Sequence, residues 1–194
     1  MGRIVVTEFV SLDGVMEDPG GSEDFKYGGW SFEFDRGEEG NKFKLDETVD
    51  SEAMLLGRVT YEGFAEAWPS REGDFADMFN TMPKYVVSST LTDPEWTNTT
   101  VLDGDMAEAV SKLRRELDGD IVVHGSAQLV HELLDRDLVD EVRLMVFPVV
   151  LGDGKRVFGE TGDKKTLRLK DSRIVGDGVA ILVYEPAREE AKAA

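Results

Sequence analysis

The chain has 194 residues, 41% of them hydrophobic, no cysteine and a formal charge of −18. The length suits one large domain or at most two small ones, and the lack of thiols excludes disulfides, thiolate catalysis and Cys-based zinc sites. The acidity argues against nucleic acid and acidic membrane surfaces as partners, since both need a basic footprint; a phosphorylated ligand would have to be held by local devices such as helix starts, hydroxyls and a few arginines.

Residues 3–11 (RIVVTEFVS) alternate partly and are rich in β-branched types, which predicts a strand. The N-terminus reads as a strand entering a loop and lacks the basic start, long apolar stretch and cleavage site of a signal peptide, and no apolar run is long enough to cross a membrane. A cytoplasmic location is expected. A long glycine-rich loop follows from 11 to 30, and loops of this length tend to serve binding. The aromatics Phe25, Tyr27, Trp30, Phe32 and Phe34 could close over a ligand, although anchoring to the core is the expected role for most of them. Residues 35–52 predict a polar helix with one narrow buried face carrying Phe43, Leu45 and Val49.

The stretch LLGRVTYEGF (55–64) reads as the end of a buried strand, a turn at Gly57 and the opening of a helix that Pro69 terminates. Such a corner presents free N–H groups and the positive end of the helix dipole, with the Arg58 fork at its mouth. It reads either as an anion site or as a plain corner with a solvated arginine. A short helix over 73–82 places Phe75, Met78 and Phe79 inward. Strand-like runs recur at 84–90 (KYVVSST), 99–105 (TTVLDGD) and 120–126 (DIVVHGS). Helices are predicted over 105–118, capped by Asp103 or Asp105, and over 127–135. Recurring strand–helix units indicate a parallel α/β sheet. Strands at 141–150, 166–175 and 179–185 close the domain, the last two joined through Gly176-Asp177-Gly178. The domain is expected to span 1–185, with 186–194 a short charged tail.

Three strand ends stand out: Gly57-Arg58, Ser88-Ser89-Thr90 and His124-Gly125-Ser126. Open α/β sheets bind ligands at the carboxyl ends of their strands. Gly125 would let backbone approach a pyrophosphate, Ser126 would donate to it, and Ser88 and Ser89 could bond a ribose phosphate with Arg58 completing the charge. No G-x-G-x-x-G is present, so the usual Rossmann fingerprint is absent. His124 at a strand end could donate to an oxygen of the cofactor or fill a helix-start position. His131 reads as surface or helix-packing. Neither has metal-ligand partners at suitable spacing, so no metal site is expected.

The ordered set LLGRVTYEGF, VVSST, VVHGSAQLVHELLD and FPVVLGDGKRVF resembles the dihydrofolate reductase superfamily. SLDG (11–14) and PVVLGDG (148–154) resemble in particular its branch named for the reductase domain of bacterial riboflavin biosynthesis. The resemblance runs from about residue 3 to 185. It implies a three-layer α/β/α fold, with a mostly parallel eight-stranded sheet ending in an antiparallel hairpin. It also implies NADPH as hydride donor to a small heterocyclic substrate. By motif position Gly57, Arg58 and Thr60 would take the cofactor's phosphates, and Ser88 and Ser89 its adenosine ribose phosphate. Gly125, Ser126 and Ala127, beside His124, would cradle the pyrophosphate and the nicotinamide side. Asp13, the aspartate of SLDG, would face the substrate and is the candidate catalytic residue; it reads equally as an Asx-turn residue preceding Gly14.

There are departures. Val15, Met16, Glu17 and Asp18 follow SLDG, where the riboflavin enzymes carry a basic residue. The zinc-binding cysteines of the companion deaminase are missing, and Asp35, Glu38 and Glu39 do not match the dihydrofolate reductase acid cleanly. The competing reading is a non-catalytic, nucleotide-binding oligomeric protein that keeps the fold. The apolar run from Val142 to Val150 and the resemblance both suggest a homodimer, although these residues also suit a core.

Overall fold

The first strand, β1 (Arg3–Ser11), is buried on both faces along almost its whole length, as expected of a strand with a parallel neighbour on either side. The computed structural model describes residues 1–159 and 162–187. After β1 the chain runs through α1 (Gly37–Val49), β2 (Ser51–Gly57), α2 (Arg58–Ala67), α3 (Asp74–Thr81), β3 (Lys84–Val87) and β4 (Thr99–Leu102). It continues through α4 (Met106–Glu116), β5 (Asp120–Val123), α5 (Ala127–Asp135), β6 (Glu141–Phe147), β7 (Leu167–Val175) and β8 (Val179–Pro186). The sheet order is β4-β3-β2-β5-β1-β6-β8-β7. Pairings from β4 to β6 are parallel, and β8 runs antiparallel to both β6 and β7. This is the expected mostly parallel sheet with an antiparallel hairpin. Of the expected tail, residues 188–194 lie outside the described residues.

Alternation along the strands divides the core. Ile4, Val6, Leu55, Val123 and Val142 pack on one face against Val110 and Leu113 of α4 and Leu129, Val130 and Leu133 of α5. On the other face Val5, Met54, Leu56 and Val122 meet Tyr61, Phe79 and Trp96. Further along that face Met145, Phe147, Ile181 and Val183 pack with Trp30. Trp30 also meets Phe147 edge-on and donates its indole N–H to the Glu17 carbonyl at 2.8 Å, so it anchors the long loop as expected. Phe34 lies against Phe147 as well, whereas Tyr27 and Phe32 are exposed.

The buried face of α1 differs from the prediction. Val49 is 57% exposed, and the residues turned inward are Gly40, Lys44, Glu47 and Thr48. The reason lies in the sheet beneath, where Thr7 and Arg143 pair in register and Arg3 lies opposite Asp120. Lys44 donates to the Thr7 hydroxyl at 2.9 Å and to Glu47, and Thr7 donates to Glu47 at 2.9 Å. Arg143 reaches Glu47 at 3.3 Å, Glu141 at 2.7 Å and Asp120 at 3.2 Å. Burial pushes the Glu47 carboxyl up, but Lys44 in the first place, with Arg143, holds it below the usual range. A helix laid over charged strands must itself be charged on that side, because each buried ion needs a partner.

Removing one partner from such a network is costly. Glu47→Leu should lose about 3–5 kcal/mol in urea unfolding, and Lys44→Met combined with Glu47→Leu should lose less than Glu47→Leu alone. A single mutant as stable as wild type would show that the network is solvated.

Candidate functional site

The sheet order sets β3, β2 and β5 side by side, so the three predicted strand ends open onto one edge. β2 ends at Gly57 and α2 starts at once. β5 ends at Val123, and His124-Gly125-Ser126 leads into α5. The two corners touch. The Gly57 N–H donates to the Gly125 carbonyl at 3.1 Å, and a Cβ on Gly57 would lie 2.3 Å from the Ser126 hydroxyl. Gly125 has φ +105°, and a Cβ there would lie 2.8 Å from the hydroxyl of the buried Thr60. The Gly125–Ser126 peptide is cis.

Neither α2 nor α5 has a side-chain cap or an acidic residue in its first turn. By contrast α1, α3 and α4 all carry Asp or Glu there, and Asp105 caps α4 by accepting from the Glu108 N–H. Two open helix starts, with Ala127 beginning the second, therefore point their N–H groups at one place, free of the acidity found elsewhere. That suits a diphosphate.

The other predicted residues lie around this point. Arg58 is half exposed, and its Nη1 donates to both oxygens of Glu62 at 2.9 Å, one helical turn on. The Ser88 hydroxyl accepts from the N–H groups of Thr90 at 3.1 Å and Leu91 at 3.0 Å, forming a turn that carries the exposed Ser89. His124 turns towards the rings of Phe79 and Phe64, at 5.3 and 6.1 Å. Its Nε2 is buried without a hydrogen-bond partner. Burial, reinforced by Lys44, pushes the imidazole down to about 3, so it is neutral at physiological pH.

Asp13 is already committed to the loop. Its carboxylate accepts from the Ser11 hydroxyl at 2.7 Å and from the N–H groups of Gly152 and Leu151 at 2.9 and 3.1 Å. The Ser11 bond first, then those two amides, bring it down to about 2. A carboxylate so held is ionised at neutral pH and has no proton to give. It ties SLDG to VLGDG, which is the physical role these two motifs share here.

Sequence reasoning missed Glu8. The β1–β5 register pairs Val6 with Val123, which sets Thr7 level with His124 and Glu8 level with Gly125. Glu8 is 7% exposed, and its Oε1 has no hydrogen-bond partner. Burial pushes its pKa well above the carboxylate range, with Glu47 and Glu23 reinforcing and Lys44 opposing. A charged residue inside a strand apolar on both sides was the available signal. On the Thr7 face a pocket of about 310 Å³ opens beside Phe9, lined by Phe34, Arg36 and Asn41. No group of His, Asp and Glu able to hold a metal occurs among the described residues.

Comparison with known proteins fixes the family. The sequence profile of the RibD C-terminal domain matches residues 3–181. The chain belongs to the RibD C-terminal domain family. Two uncharacterized Bacillus subtilis (strain 168) proteins resemble it over most of their lengths. YyaP is 28% identical over 187 residues, covering 94% of each chain, and YwjB is 31% identical over 175 residues, covering 89% of this chain and 91% of the other. Among solved structures, a putative riboflavin biosynthesis protein from Shewanella sp. PV-4 superposes with a TM-score of 0.78 at 20% identity, over 96% of this chain and 99% of that one. Dihydrofolate reductase from Enterococcus faecalis, complexed with NADP(H), gives a TM-score of 0.57 at 14% identity, over 96% and 97%. Within the RibD C-terminal domain family the fold is thus dihydrofolate reductase-like, and a reductase-type function is supported.

Protonated Glu8 has a thermodynamic consequence. The unfolded chain releases this proton in the ordinary carboxylate range and the folded chain keeps it longer, so folding stability falls as pH rises between the two. Glu8→Gln removes that slope. In urea unfolding at about pH 5 and about pH 8, the variant should gain on wild type at the higher pH. Parallel pH profiles would mean that folded Glu8 is ionised.

Proposed function

We propose that the protein is an NADPH-dependent reductase of a small heterocyclic substrate, working in the cytoplasm. The observation that carries this reading is the pair of acid-free, uncapped helix starts, in contact across a gap that a single Cβ would fill. These residues fit a dinucleotide diphosphate: Gly57, Gly125 and Ser126 let the backbone come close, and the N–H groups after them donate. Thr60 packs against Gly125 and holds the corner. Arg58 exchanges Glu62 for a cofactor phosphate, a stronger bidentate partner. Ser88 and Ser89, one strand further out, take the ribose phosphate side.

NADPH when bound supplies the hydride. Reduction of a C=N or C=C bond also needs a proton, which water reaching the cleft can supply; Glu8 lies on the opposite face of β1 from the Phe9 pocket. Asp13 acts as a positioning residue that fixes the loop over this edge. Neutral His124 packs on the aromatic side against Phe79 and Phe64. The second reading, nucleotide binding without chemistry, draws on the commitment of Asp13 to the loop. Cofactor oxidation by pterins, pyrimidines or quinones separates the two readings.

Titration with NADPH, followed by its fluorescence, should show saturable binding. Arg58→Ala should weaken NADPH about tenfold, the scale of one charge-assisted pair, and NADH much less. Equal losses for both would remove Arg58 from the 2′-phosphate side, and no binding by wild type would overturn the cofactor.

A further inference from the structure

Three arginines of the described chain are partly buried: Arg36, Arg114 and Arg143. Arg114 donates to Asp140 and to the Gly2 carbonyl, and Arg143 donates to three carboxylates. The Arg36 guanidinium donates no hydrogen bond among the described residues. Its guanidinium lies 5.0 Å from the centre of the Phe9 ring, and burial pulls its pKa down against the opposing pull of Asp35. In a protein with 40 acidic and 22 basic residues, a partly desolvated arginine without a hydrogen-bonded acceptor is out of pattern. The donors of such a fork are costly to bury unmet and well suited to a planar anion.

The fork lines the pocket of about 310 Å³ beside Phe9, near the lower end of ligand-site volumes. Phe32 and Phe34 supply further aromatic surface and Asn41 an amide. The pocket is held from outside. Asp177 in the β7–β8 turn donates its N–H to the Asp35 carbonyl at 2.8 Å and accepts from the Asp35 N–H at 2.9 Å. At Gly176 a Cβ would lie only 1.9 Å from that same carbonyl oxygen, so the hairpin seats directly against the start of α1. Phe9 is two residues beyond Thr7 on the same face of β1, which puts the pocket next to the β5 end of the proposed cofactor cleft.

We propose that this pocket is the substrate subsite and that it takes a compact planar carboxylate, its ring against the phenylalanines and its carboxylate on Arg36. Calling this ligand the substrate rests on the reductase reading. The charge balance selects the monoanion. Arg36 offers one positive charge, and Asp35 in the same lining together with Glu38 and Glu39 in the first turn of α1 would oppose a phosphate dianion. The fork matches the two oxygens of a carboxylate in one plane.

The test is calorimetric titration of the full chain without NADPH, using benzoate and 4-hydroxybenzoate, their amides, and phenyl phosphate. The carboxylates should bind with Kd about millimolar or tighter, the range set by ligand size, and the amides at least about tenfold more weakly. Arg36→Ala should abolish this preference, and Arg36→Lys should keep part of it, having the charge without the fork. Asn41→Asp should weaken the carboxylates and leave the amides unchanged, and it serves as the check if Arg36→Ala folds poorly. Equal binding of acids and amides, tighter binding of phenyl phosphate, or no binding of any probe would overturn the proposal. Because NADPH is titrated separately, its failure to bind would count against the reductase reading and leave the carboxylate result standing.

Discussion

The carboxyl ends of β2 and β5 can meet only because residue 57 has no side chain. The Gly57 amide bonds the Gly125 carbonyl, and the Ser126 hydroxyl fills the space where a Cβ would be. This contact brings the starts of α2 and α5 together at the edge of a parallel sheet, where such folds place their ligands. The flanking features depend on it. Thr60 closes over Gly125, Ser88 lies one strand out, and β1 brings Glu8 level with Gly125 on the opposite side.

Electrostatics then distinguish this edge from the rest of an acidic molecule. Buried charged groups elsewhere are met: Lys44 by Glu47, Arg143 by Glu47, Asp120 and Glu141, Arg114 by Asp140, and Lys84 and Asp18 by backbone carbonyls and N–H groups. Because an unmatched buried polar atom is costly, folded proteins keep few of them. Here Glu8 and His124 each leave one such atom, and Arg36 leaves its guanidinium unbonded. All three lie near the carboxyl end of β1 or of its neighbour β5, His124 and Arg36 on the α1 face of the sheet and Glu8 on the other. Their clustering at the ligand edge is what a site built for another molecule's atoms would show.

Much of this was legible in the chain. Strand runs ending in Gly57, Ser88 and Gly125 marked the edge jointly, although each alone also suits a plain strand–helix corner. The SLDG and PVVLGDG motifs pointed to the family that the comparison then fixed. The inner face of α1 was not legible. Of Phe43, Leu45 and Val49, which helix periodicity turns inward, Phe43 packs against the Trp30–Phe147 cluster and Leu45 is half-buried, but Val49 is exposed and a polar strip of sheet draws Lys44 and Glu47 fully in. That strip arises from register between β1, β5 and β6, which are far apart in sequence. Asp13 misled for a related reason: its partners at 151–152 are remote, so a loop brace looked like a free acid. Glu8 was hidden by its neighbours in RIVVTEFVS, where partial alternation suggests a solvent face that a central strand does not have.

The crystal structure of the NADPH complex tests the central claim most directly. The cofactor's diphosphate should lie between the first turns of α2 and α5, in contact with the backbone at Gly57, Gly125 and Ser126, with the nicotinamide directed towards β1. Density for the cofactor elsewhere, or a diphosphate that leaves both helix starts untouched, would contradict it.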